Sequence, residues 1–412
     1  MSFQTSSILI LDRYIGVFRR FLFCLPCLAF SLCLQNCKKE KDASEKPDPL
    51  HIEYFYQDAD TIGGTVMIVG KGFSLDPANN KILFNITATK PFYSSHDTLL
   101  VKVPQGATTG KIQVEVYSQT VLSKGIFNVV SGHWKKMSDF PGSARTGAVG
   151  FSIGDKGYVV LGLGAAGGEY KHLWEYNDVN NAWTKKAEFP GPDRIEAFCF
   201  VINNKAYVGG GNKADNYATN DLYEYDPGSN TWSTKTAFPF PIAFSDAVGF
   251  SINGKGYVVN GSSTKVVYEY NPQSDMWVKK ADFPGQCGWR GAGFVIGDRG
   301  YIVSGYGEYG VTKECWEYNP VTDSWVQKTS LPEALVDPVG FSINENGFVG
   351  NGSTRTRMLW RYDPQADKWE QKTNIPGNPT AQAASFVIGN KAYLQAAYYQ
   401  NNLTNEIWQF EP

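Results

Sequence analysis

Histidine is scarce in this sequence, and this limits the chemistry that the protein can perform. The 412 residues include four histidines, His51, His96, His133 and His172. The last two are not spaced as a pair of metal ligands, so neither a metal centre nor a histidine-based catalytic centre is expected. The sequence also lacks the motifs G-x-S-x-G, H-E-x-x-H and G-x-x-x-x-G-K-[ST] of hydrolases, zinc proteases and phosphate-binding loops. It therefore predicts no metal and no cofactor.

An excess of charge of either sign is also missing. The chain has 38 Lys and Arg against 40 Asp and Glu, a formal net charge of −2, and only 19% of its residues are charged. Because nucleic-acid binding needs a basic surface, no nucleic-acid partner is expected. The chain is instead rich in glycine, with 42 residues, and contains 21 prolines and 14% aromatic residues. This composition predicts many short strands joined by tight turns.

The cysteines do not indicate a disulfide framework. Of the seven, four fall in the first 37 residues, and the remaining three are Cys199, Cys287 and Cys315. An odd number cannot be paired completely within the chain. Cys199 lies in the apolar run 197–201 and is interpreted as a small buried hydrophobic residue.

The N-terminus has the organisation of an export signal. Arg13, Arg19 and Arg20 precede an uncharged, mostly apolar run over residues 21–34, which is short for a transmembrane span and fits a signal peptide. Cys37 follows this run, and the charged residues 38–42 come directly after it. The arrangement resembles a bacterial lipoprotein signal in which Cys37 becomes the lipidated first residue. An ordinary cleaved signal peptide and, as a weaker alternative, a transmembrane anchor remain open.

The lipoprotein resemblance implies a domain order and a location. Residues 1–36 are the signal peptide, and residues 37–49 are the lipidated tether. The protein is then exported and anchored through its lipid in the outer membrane or at the cell surface, with the periplasmic face as an alternative.

Residues 50–130 contain short β-rich runs separated by glycine and proline turns. The runs over residues 65–69, 81–85, 99–103 and 110–116 predict a small antiparallel sandwich. The motifs G-T-V-x-I-x-G-x-G-F, V-P-x-G-A-T-T-G-K-I and G-I-F-N-V follow one another in this segment. In this order they resemble the IPT/TIG domain, an immunoglobulin-like module. The resemblance implies a spacer or a binding module without a catalytic group, and a structural stalk is the preferred interpretation.

From residue 133 onward the sequence repeats. Six phenylalanines are each followed seven residues later by an aromatic residue, namely Phe151/Tyr158, Phe200/Tyr207, Phe250/Tyr257, Phe294/Tyr301, Phe341/Phe348 and Phe386/Tyr393. Each predicted hairpin precedes an aromatic third strand, and most third strands run into an Asx-x-Trp turn. The tryptophans of the predicted fourth strands lie 44 to 49 residues apart, namely Trp134, Trp183, Trp232, Trp277, Trp325 and Trp369. A period of this length with four strands per unit resembles the kelch repeat and implies propeller blades.

The two ends of the repeat region indicate six blades. The last repeat stops at Pro412 before any fourth strand, whereas residues 133–137 form a fourth strand with no preceding three. Joining them completes the ring and removes free sheet edges. The predicted fold class is all-β, with an immunoglobulin-like IPT/TIG sandwich at 50–130 followed by a six-bladed kelch propeller at 131–412 that an N-terminal fourth strand closes.

The variable loops of the repeats supply the candidate ligand-binding residues. In kelch blades, the loops that precede the first strand and those that follow the second strand share one face. The residue four positions before each repeat's phenylalanine gives a candidate ring at the channel mouth, consisting of Gly147, Glu196, Asp246, Arg290, Asp337 and Gln382. Further out we expect Arg145, Arg194, Phe244 and Trp289, and the second set of loops adds Tyr306, Tyr309 and Arg355.

These residue types suit a small polar ligand. Carboxylates and guanidinium groups hydrogen-bond hydroxyls, and aromatic rings cover the apolar faces of sugars, so a carbohydrate is the preferred ligand. The alternative is that the charged groups form solvated pairs between blades. A Ca²⁺ site at Glu196, Asp246 and Asp337 is not expected, because these residues come from three repeats and no D-x-D-x-D-G loop is present.

Two other functions remain open. Exported six-bladed kelch proteins include sugar-acid epimerases that resemble the sialic acid mutarotase. That resemblance implies Glu196 or Asp246 as general base and Arg194 or Arg290 as the group that holds the substrate's carboxylate. The other possibility is protein–protein recognition, which many kelch propellers perform. A copper oxidase of the kelch type is not expected, because the histidines are too few.

Overall fold

The computed structural model describes residues 48–164, 170–213, 219–239, 245–259, 261, 264–352, 357–376, 382–395, 398–399 and 402–412. The predicted signal peptide, the lipidation site Cys37 and nearly all of the tether lie outside these residues. Within them, no helix has both the length and the apolar character needed to cross a membrane.

The N-terminal domain is a sandwich of two sheets. Its strands are β1 (His51–Tyr56), β2 (Ala59–Asp60), β3 (Thr65–Lys71), β4 (Asn80–Phe84), β5 (Thr87–Thr89), β6 (Pro91–Ser94), β7 (Thr98–Lys102), β8 (Gly110–Val116) and β9 (Gln119–Val129), with a 3₁₀ turn at Pro77–Asn79. The sheet orders are β1-β3-β7-β6 and β2-β9-β8-β4-β5. Alternate residues of β3 and β8, such as Val66, Ile68 and Val114, are buried and form the core with Phe127. The predicted sandwich is therefore confirmed.

The C-terminal region begins with β10 (His133–Lys136) and continues through six units, each with one four-stranded sheet and some with additional short strands in their loops. The first unit comprises β11 (Arg145–Thr146), β12 (Val149–Ile153), β13 (Lys156–Val160), β14 (Leu163–Gly164), β15 (Trp174–Asn177) and β16 (Ala182–Lys185). The second comprises β17 (Phe198–Ile202), β18 (Lys205–Gly209), β19 (Leu222–Asp226) and β20 (Thr231–Lys235). The third comprises β21 (Val248–Ile252), β22 (Lys255–Val259), β23 (Val267–Asn271) and β24 (Met276–Lys279).

The remaining units follow the same plan. The fourth comprises β25 (Cys287–Trp289), β26 (Ala292–Ile296), β27 (Arg299–Val303), β28 (Tyr306–Gly307), β29 (Gly310–Val311), β30 (Cys315–Asn319) and β31 (Ser324–Lys328). The fifth comprises β32 (Val339–Ile343), β33 (Asn346–Gly350), β34 (Leu359–Asp363) and β35 (Lys368–Lys372). The sixth comprises β36 (Ala384–Ile388), β37 (Lys391–Gln395), β38 (Tyr398–Tyr399), β39 (Asn402–Leu403) and β40 (Ile407–Glu411).

Within the described residues these strands build six four-stranded antiparallel sheets, the blades of a propeller. Blade 6 has the order β10-β40-β37-β36, so its fourth strand comes from the N-terminal end of the repeat region. His133 pairs with Glu411, and Trp134 pairs with Phe410. The predicted closure by an N-terminal fourth strand is confirmed.

The repeated aromatic residues pair across the first two strands of each blade. The six predicted Phe and Tyr or Phe pairs are all stacked, with ring centroids 5.0 to 5.9 Å apart. Both rings stand on the same face of the hairpin because the partners lie directly opposite each other in the ladder. Burial of these pairs fills the space between neighbouring blades and explains the seven-residue phase of the sequence.

The Asx-x-Trp turn acts as a clip between blades, which blade 3 illustrates. The carboxylate of Asp275 accepts hydrogen bonds from the hydroxyl of Tyr270 at 2.6 Å and from the backbone N–H of Thr236 in blade 2 at 3.0 Å. The indole of Trp277 donates to the carbonyl of the same Thr236 at 3.0 Å. One residue of the preceding blade is thus held at both its N–H and its C=O. The same N–H contact to Asx recurs at Asn181, Asn230, Asp323 and Asp367.

The clip explains why Asn or Asp stands two residues before the fourth-strand tryptophan in blades 1 to 5. Asp275 has a positive φ of 50°, a conformation that Asn and Asp adopt more readily than other non-glycine residues. At the ring closure, Ser131 replaces the Asx side chain, and its carbonyl accepts from the N–H of Thr373 at 3.0 Å. Trp134 donates to the carbonyl of Thr373 at 3.3 Å. The closing joint therefore repeats the geometry of the joints at Trp232, Trp277, Trp325 and Trp369.

Asp275→Ala is expected to lower the free energy of unfolding by about 2–3 kcal/mol, because two hydrogen bonds are lost and alanine is strained at positive φ. Asp275→Asn is the matched control, since Asn occupies this position in blades 1 and 2, and its loss at pH 7 should stay below about 1 kcal/mol. Although burial opposes it, hydrogen bonds from Tyr270 and Thr236 lower the pKa of Asp275. The carboxylate therefore stabilises the fold above its unfolded pKa and loses this effect as the pH falls. Urea unfolding of the variants measures these differences, and equal losses for Ala and Asn would contradict the clip.

The N-terminal domain packs against blade 5 of the propeller. Asn128 donates to the amide oxygen of Gln371 at 3.5 Å, and Lys372 donates to the hydroxyl of Ser131 at 2.7 Å. Residues 48–412 form one compact unit. These contacts lie at the C-terminal end of β35, the fourth strand of blade 5.

Candidate functional site

The six residues of the candidate ring lie together in the structure. Each has a positive φ, between 54° and 63°. Their backbones are linked from blade to blade, because the N–H of Glu196 donates to the carbonyl of Gly147 at 3.1 Å, and that of Asp246 donates to Glu196 at 3.3 Å. The same bond joins Arg290 to Asp246, Asp337 to Arg290 and Gly147 to Gln382. These backbone bonds fix the ring, and its five side chains, from blades 2 to 6, meet in one place.

Arg290 is the centre of the side-chain network in this ring. Its Nε lies 3.3 Å from Oδ1 of Asp246 and 3.6 Å from Oδ1 of Asp337. Its Nη2 lies 3.4 Å from Oε1 of Glu196, two blades away. One guanidinium group therefore contacts three carboxylates, and without further cations the four groups carry a formal charge of −2 when all are ionised.

Amide and hydroxyl groups complete the network. Gln382 donates to Oε1 of Glu196 at 2.6 Å, and Thr146 donates to Oε1 of Gln382 at 3.0 Å. Asn212 donates to Oε2 of Glu196 at 2.9 Å. The sequence analysis missed Thr146 and Asn212. Thr146 could have been found because it directly precedes the ring residue Gly147, whereas Asn212 lies on a loop that the repeat phase does not align.

The carboxylates of the ring are shielded from solvent. The side chains of Glu196, Asp246 and Asp337 are 8%, 6% and 7% exposed, and that of Arg290 is 30% exposed. Burial and the charge of Glu196 raise the pKa of Asp246 to about 7, although Arg290 opposes the shift. Burial raises the pKa of Asp337 to about 6, again against the effect of Arg290. Near neutral pH Asp246 is therefore partly protonated.

An aromatic surface adjoins the ring at blade 4. Strands β25, β28 and β29 form a small sheet on the loops of this blade, and they carry Trp289 and Tyr306. The two rings lie 5.6 Å apart, and Cζ of Arg290 lies 5.2 Å from the ring of Trp289. Tyr309, in the turn between β28 and β29, is 82% exposed. Aromatic rings and carboxylate acceptors are therefore brought together by adjacent residues.

Arg145 and Arg194 do not lie at the channel mouth as expected. Both are buried inside their blades, with at most 1% exposure. Arg194 forms an ion pair with Asp221, in which its Nη2 lies 2.7 Å from Oδ2, and its Nη1 donates to the carbonyl of Gly210 at 2.9 Å. The ion pair and the hydrogen bonds of this guanidinium group lie inside blade 2, so the group is not available to hold a substrate's carboxylate. The expected roles of these two arginines at the mouth are corrected accordingly.

Two other candidates, Phe244 and Arg355, lie outside the described residues. Among the residues that the structure does describe, no group of three or more His, Cys, Asp and Glu side chains is placed to hold a metal ion. Cys199, which was predicted to be buried, is only partly buried and packs against the hydrophobic core of blades 1 and 2. It contacts the carbonyl of its neighbour Phe200, and desolvation raises the pKa of its thiol.

Comparisons with known proteins agree with the two parts of the fold. Residues 58–128 match the IPT/TIG domain family. This part of the chain is an IPT/TIG domain. The solved structure of YjhT, a kelch-type propeller protein, is similar to this chain with a TM-score of 0.57. The two are 17% identical in sequence, and the similarity covers 66% of this chain and 95% of YjhT. None of the curated proteins matches the sequence.

The comparisons establish the architecture. An identity of 17% carries the fold alone. The chain is therefore an IPT/TIG domain followed by a six-bladed β-propeller, and its function has to be inferred from the residues of the ring and of the aromatic surface beside it.

Proposed function

We propose that this protein is an exported, lipid-anchored protein whose propeller binds a neutral carbohydrate at the channel mouth. The observation that carries the proposal is the position of Trp289 and Tyr306 beside the carboxylate ring. An aromatic pair offers an apolar face to a sugar ring, and Glu196, Asp246 and Gln382 offer acceptors to its hydroxyl groups.

The charge of the ring favours a neutral sugar over a sugar acid. Three carboxylates surround Arg290 at 3.3 to 3.6 Å, so the guanidinium already has partners. A carboxylate on the ligand would add a further negative charge to a buried site that already has more carboxylates than cations. Hydroxyl groups, in contrast, can donate to the remaining carboxylate lone pairs without a change of charge.

The proposed location rests on the sequence before the described residues. The apolar run over residues 21–34, followed by Cys37 and the charged segment 38–42, supports export and lipid attachment. The IPT/TIG domain would then separate the propeller from the membrane. Growth with a radiolabelled fatty acid should label the wild-type protein and leave Cys37→Ser unlabelled. Equal labelling of both would exclude Cys37 as the attachment site.

A glycan array with the purified protein is the direct test of carbohydrate binding. We expect binding to neutral glycans and, for the best of them, about a tenfold or larger loss of affinity in Trp289→Ala, because truncation of a central aromatic contact costs about 1.4 kcal/mol or more. Tyr117→Ala is the control, since Tyr117 is 75% exposed on the IPT/TIG domain and far from the ring in sequence. Binding to no glycan, with capture of a protein ligand by the same face, would replace carbohydrate binding with protein recognition.

One observation favours catalysis as a second candidate. A carboxyl group with a pKa of about 7, as Asp246 has, is suited to give and take protons at neutral pH. A bound reducing sugar could then be opened and closed by proton transfer at Asp246. Proton NMR of anomer interconversion tests this idea: acceleration that disappears in Asp246→Asn would support it, and no acceleration of any bound sugar would reject it.

A further inference from the structure

Three buried hydrogen-bond donors in blade 1 have no acceptor, and one of them is Nε1 of Trp183 in the joint with the neighbouring blade. The other two, Nη2 of Arg145 and Nε1 of Trp174, are both shielded from solvent and have no hydrogen-bond partner. These two side chains share a neighbour, because Cζ of Arg145 lies 4.9 Å from the ring of Phe140, and the ring of Trp174 packs against the same Phe140 at 6.1 Å. Buried donors without acceptors destabilise a fold, so a pair of them in one place requires an explanation.

The equivalent donors in blades 2, 4, 5 and 6 reach a carboxylate. In blade 2, Asp221 accepts from Arg194, and its side chain also bonds Tyr223, which stands where blade 1 has Trp174. In blades 4 and 6 the indoles of Trp316 and Trp408 donate to Glu314 at 3.0 Å and to Glu406 at 3.2 Å. The acid stands two residues before the aromatic residue in each of these three blades.

In blade 5 a carboxylate also accepts from the indole, but it comes from a different position in the chain. There Met358 stands two residues before Trp360, and the indole donates instead to Glu333, on the loop before the blade, at 2.8 Å. The chain therefore supplies a carboxylate to this tryptophan even where the usual position lacks one. Blade 1 has both the arginine of blade 2 and the tryptophan of blades 4 and 6, and it lacks their acid.

His172 stands in blade 1 at the position of the acid, and it does not serve the two donors. Its Nε2 lies 3.1 Å from Oε1 of Glu188, and its ring stacks on Tyr170 at 6.4 Å. Burial lowers the pKa of Arg145 to about 10, so the guanidinium is still charged at neutral pH. Arg145 is thus a buried cation whose internal counter-ion, present in blade 2, has been replaced.

We propose that blade 1 binds the carboxylate of an external small molecule between Arg145 and Trp174, where Asp221 lies in blade 2. One carboxylate oxygen accepts from Nη2 of Arg145 and the other accepts from Nε1 of Trp174. The ring of Tyr170 lies 4.6 Å from Cζ of Arg145, so the ligand enters when this side chain turns outward. The Tyr170 backbone N–H is bonded to the carbonyl of Gly162 at 3.1 Å and stays in place.

This site is independent of the ring at the channel mouth. It uses Arg145 and Trp174, whereas the proposed carbohydrate site uses Trp289 and the carboxylates around Arg290. The two sites have opposite charge preferences, since the ring carries excess negative charge and blade 1 holds an unpaired cation. Either proposal can therefore fail without the other.

The test uses the full chain and acetate as the probe. Sodium acetate at about 200 mM should raise the melting temperature by about 2 °C or more over sodium chloride at equal ionic strength. Acetamide, which has the same shape without the charge, should not. In ¹H–¹⁵N spectra, acetate should also shift the indole signal that Trp174→Phe removes. Glucuronate and N-acetylglycine then show whether a sugar acid or a peptide-like carboxylate binds more tightly.

The repeats themselves provide the matched variants. His172→Glu places in blade 1 the acid of blades 4 and 6, and we expect it to raise the melting temperature by about 2–5 °C and to abolish the response to acetate. Asp221→His should do the reverse in blade 2, with a lower melting temperature that acetate partly restores. Arg145→Leu, which copies the buried Leu335 at the same position of blade 5, should remove the response in blade 1. Equal melting temperatures of the wild type in acetate and chloride, with an unmoved Trp174 signal, would overturn the proposal.

Discussion

Deletion of residues 133–137 lowers the melting temperature of the protein by about 10 °C or more, because these residues form the fourth strand of blade 6. The strand β10 pairs with β40 over four residues, from His133 opposite Glu411 to Lys136 opposite Trp408. Its Trp134 packs on Phe410 with ring centroids 4.9 Å apart and holds the carbonyl of Thr373 in blade 5. Without it, β40 becomes an open edge and the joint between blades 5 and 6 is lost. A loss of several kcal/mol corresponds to this shift in a domain of such size.

Two point variants on the same strand separate closure from a general effect of mutation. Trp134→Ala removes the packing on Phe410 and the bond to Thr373, so we expect it to account for a large part of the loss. Lys135→Ala changes the adjacent, exposed residue and should alter the melting temperature by about 1 °C or less. Thermal unfolding followed by circular dichroism measures all three. A deletion variant that melts like the wild type would contradict the closed ring.

The architecture was predictable because every blade must solve the same packing problem. The Phe and Tyr pair, the Asx and the tryptophan each occupy a fixed place in the contact between neighbouring blades, so their spacing repeats in the sequence. The fourth strand at residues 133–137 was predictable for the same reason, since Trp134 shows the spacing of the other tryptophans. The IPT/TIG motifs were recognisable for a similar reason, because they mark local turns whose backbone conformation requires glycine.

The ring at the channel mouth was predictable in position but not in chemistry. Counting back from each phenylalanine gave the six residues because the backbone bonds between ring residues fix their place in every blade. Arg290 contacts Glu196 from two blades away. This contact depends on the width of the channel and on the direction of the side chains, and neither follows from the spacing of residues in the sequence. The raised pKa of Asp246 depends on the same three-dimensional packing.

The positions predicted for Arg145 and Arg194 were wrong. Their positions are only two residues outside the ring, and an arginine on a variable loop usually points into solvent. In the structure both side chains turn inward and donate to backbone carbonyls, and Phe140 and Phe189, which precede them in the chain, lie under their guanidinium groups at 4.9 and 5.0 Å. The charge of Arg194 is balanced by Asp221, which lies 27 residues further along the chain. The spacing of residues in a sequence does not indicate ion pairs at such a separation.

Replacement of Arg290 should have the largest effect of any single change in the ring. We expect Arg290→Met to lower the free energy of unfolding by about 3 kcal/mol or more at pH 8, because it leaves Glu196, Asp246 and Asp337 close together and without a counter-ion. Arg299→Met is the matched control. Arg299 is 29% exposed, nearly as much as Arg290 at 30%, but it pairs with Asp298 and Glu317 on the surface. Its loss should stay below about 1 kcal/mol.

The pH dependence of the Arg290→Met loss identifies its cause. The folded-state pKa values of Asp246 and Asp337, about 7 and about 6, lie above the ordinary aspartate value, so these groups keep their protons longer in the folded than in the unfolded state. Their contribution to stability is therefore full below the unfolded pKa and is lost as the pH rises from about 4 to about 7. Without Arg290 both pKa values rise further, and the variant should lose stability over a window that extends above pH 7. At pH 5, where both groups are protonated, most of the Arg290→Met loss should disappear.

A second substitution tests the same electrostatic account from the acidic side. Asp246→Asn removes one of the three carboxylates and keeps the shape of the side chain, so it should raise the stability of the wild type at pH 8 and change it little at pH 4. In the double variant with Arg290→Met, it should restore part of the loss, since one fewer buried charge then lacks a partner. Urea unfolding of the four proteins between pH 4 and pH 8 completes the cycle. If Arg290→Met costs the same at pH 5 and pH 8, the repulsion among the carboxylates is not what Arg290 relieves, and its role in the ring is packing alone.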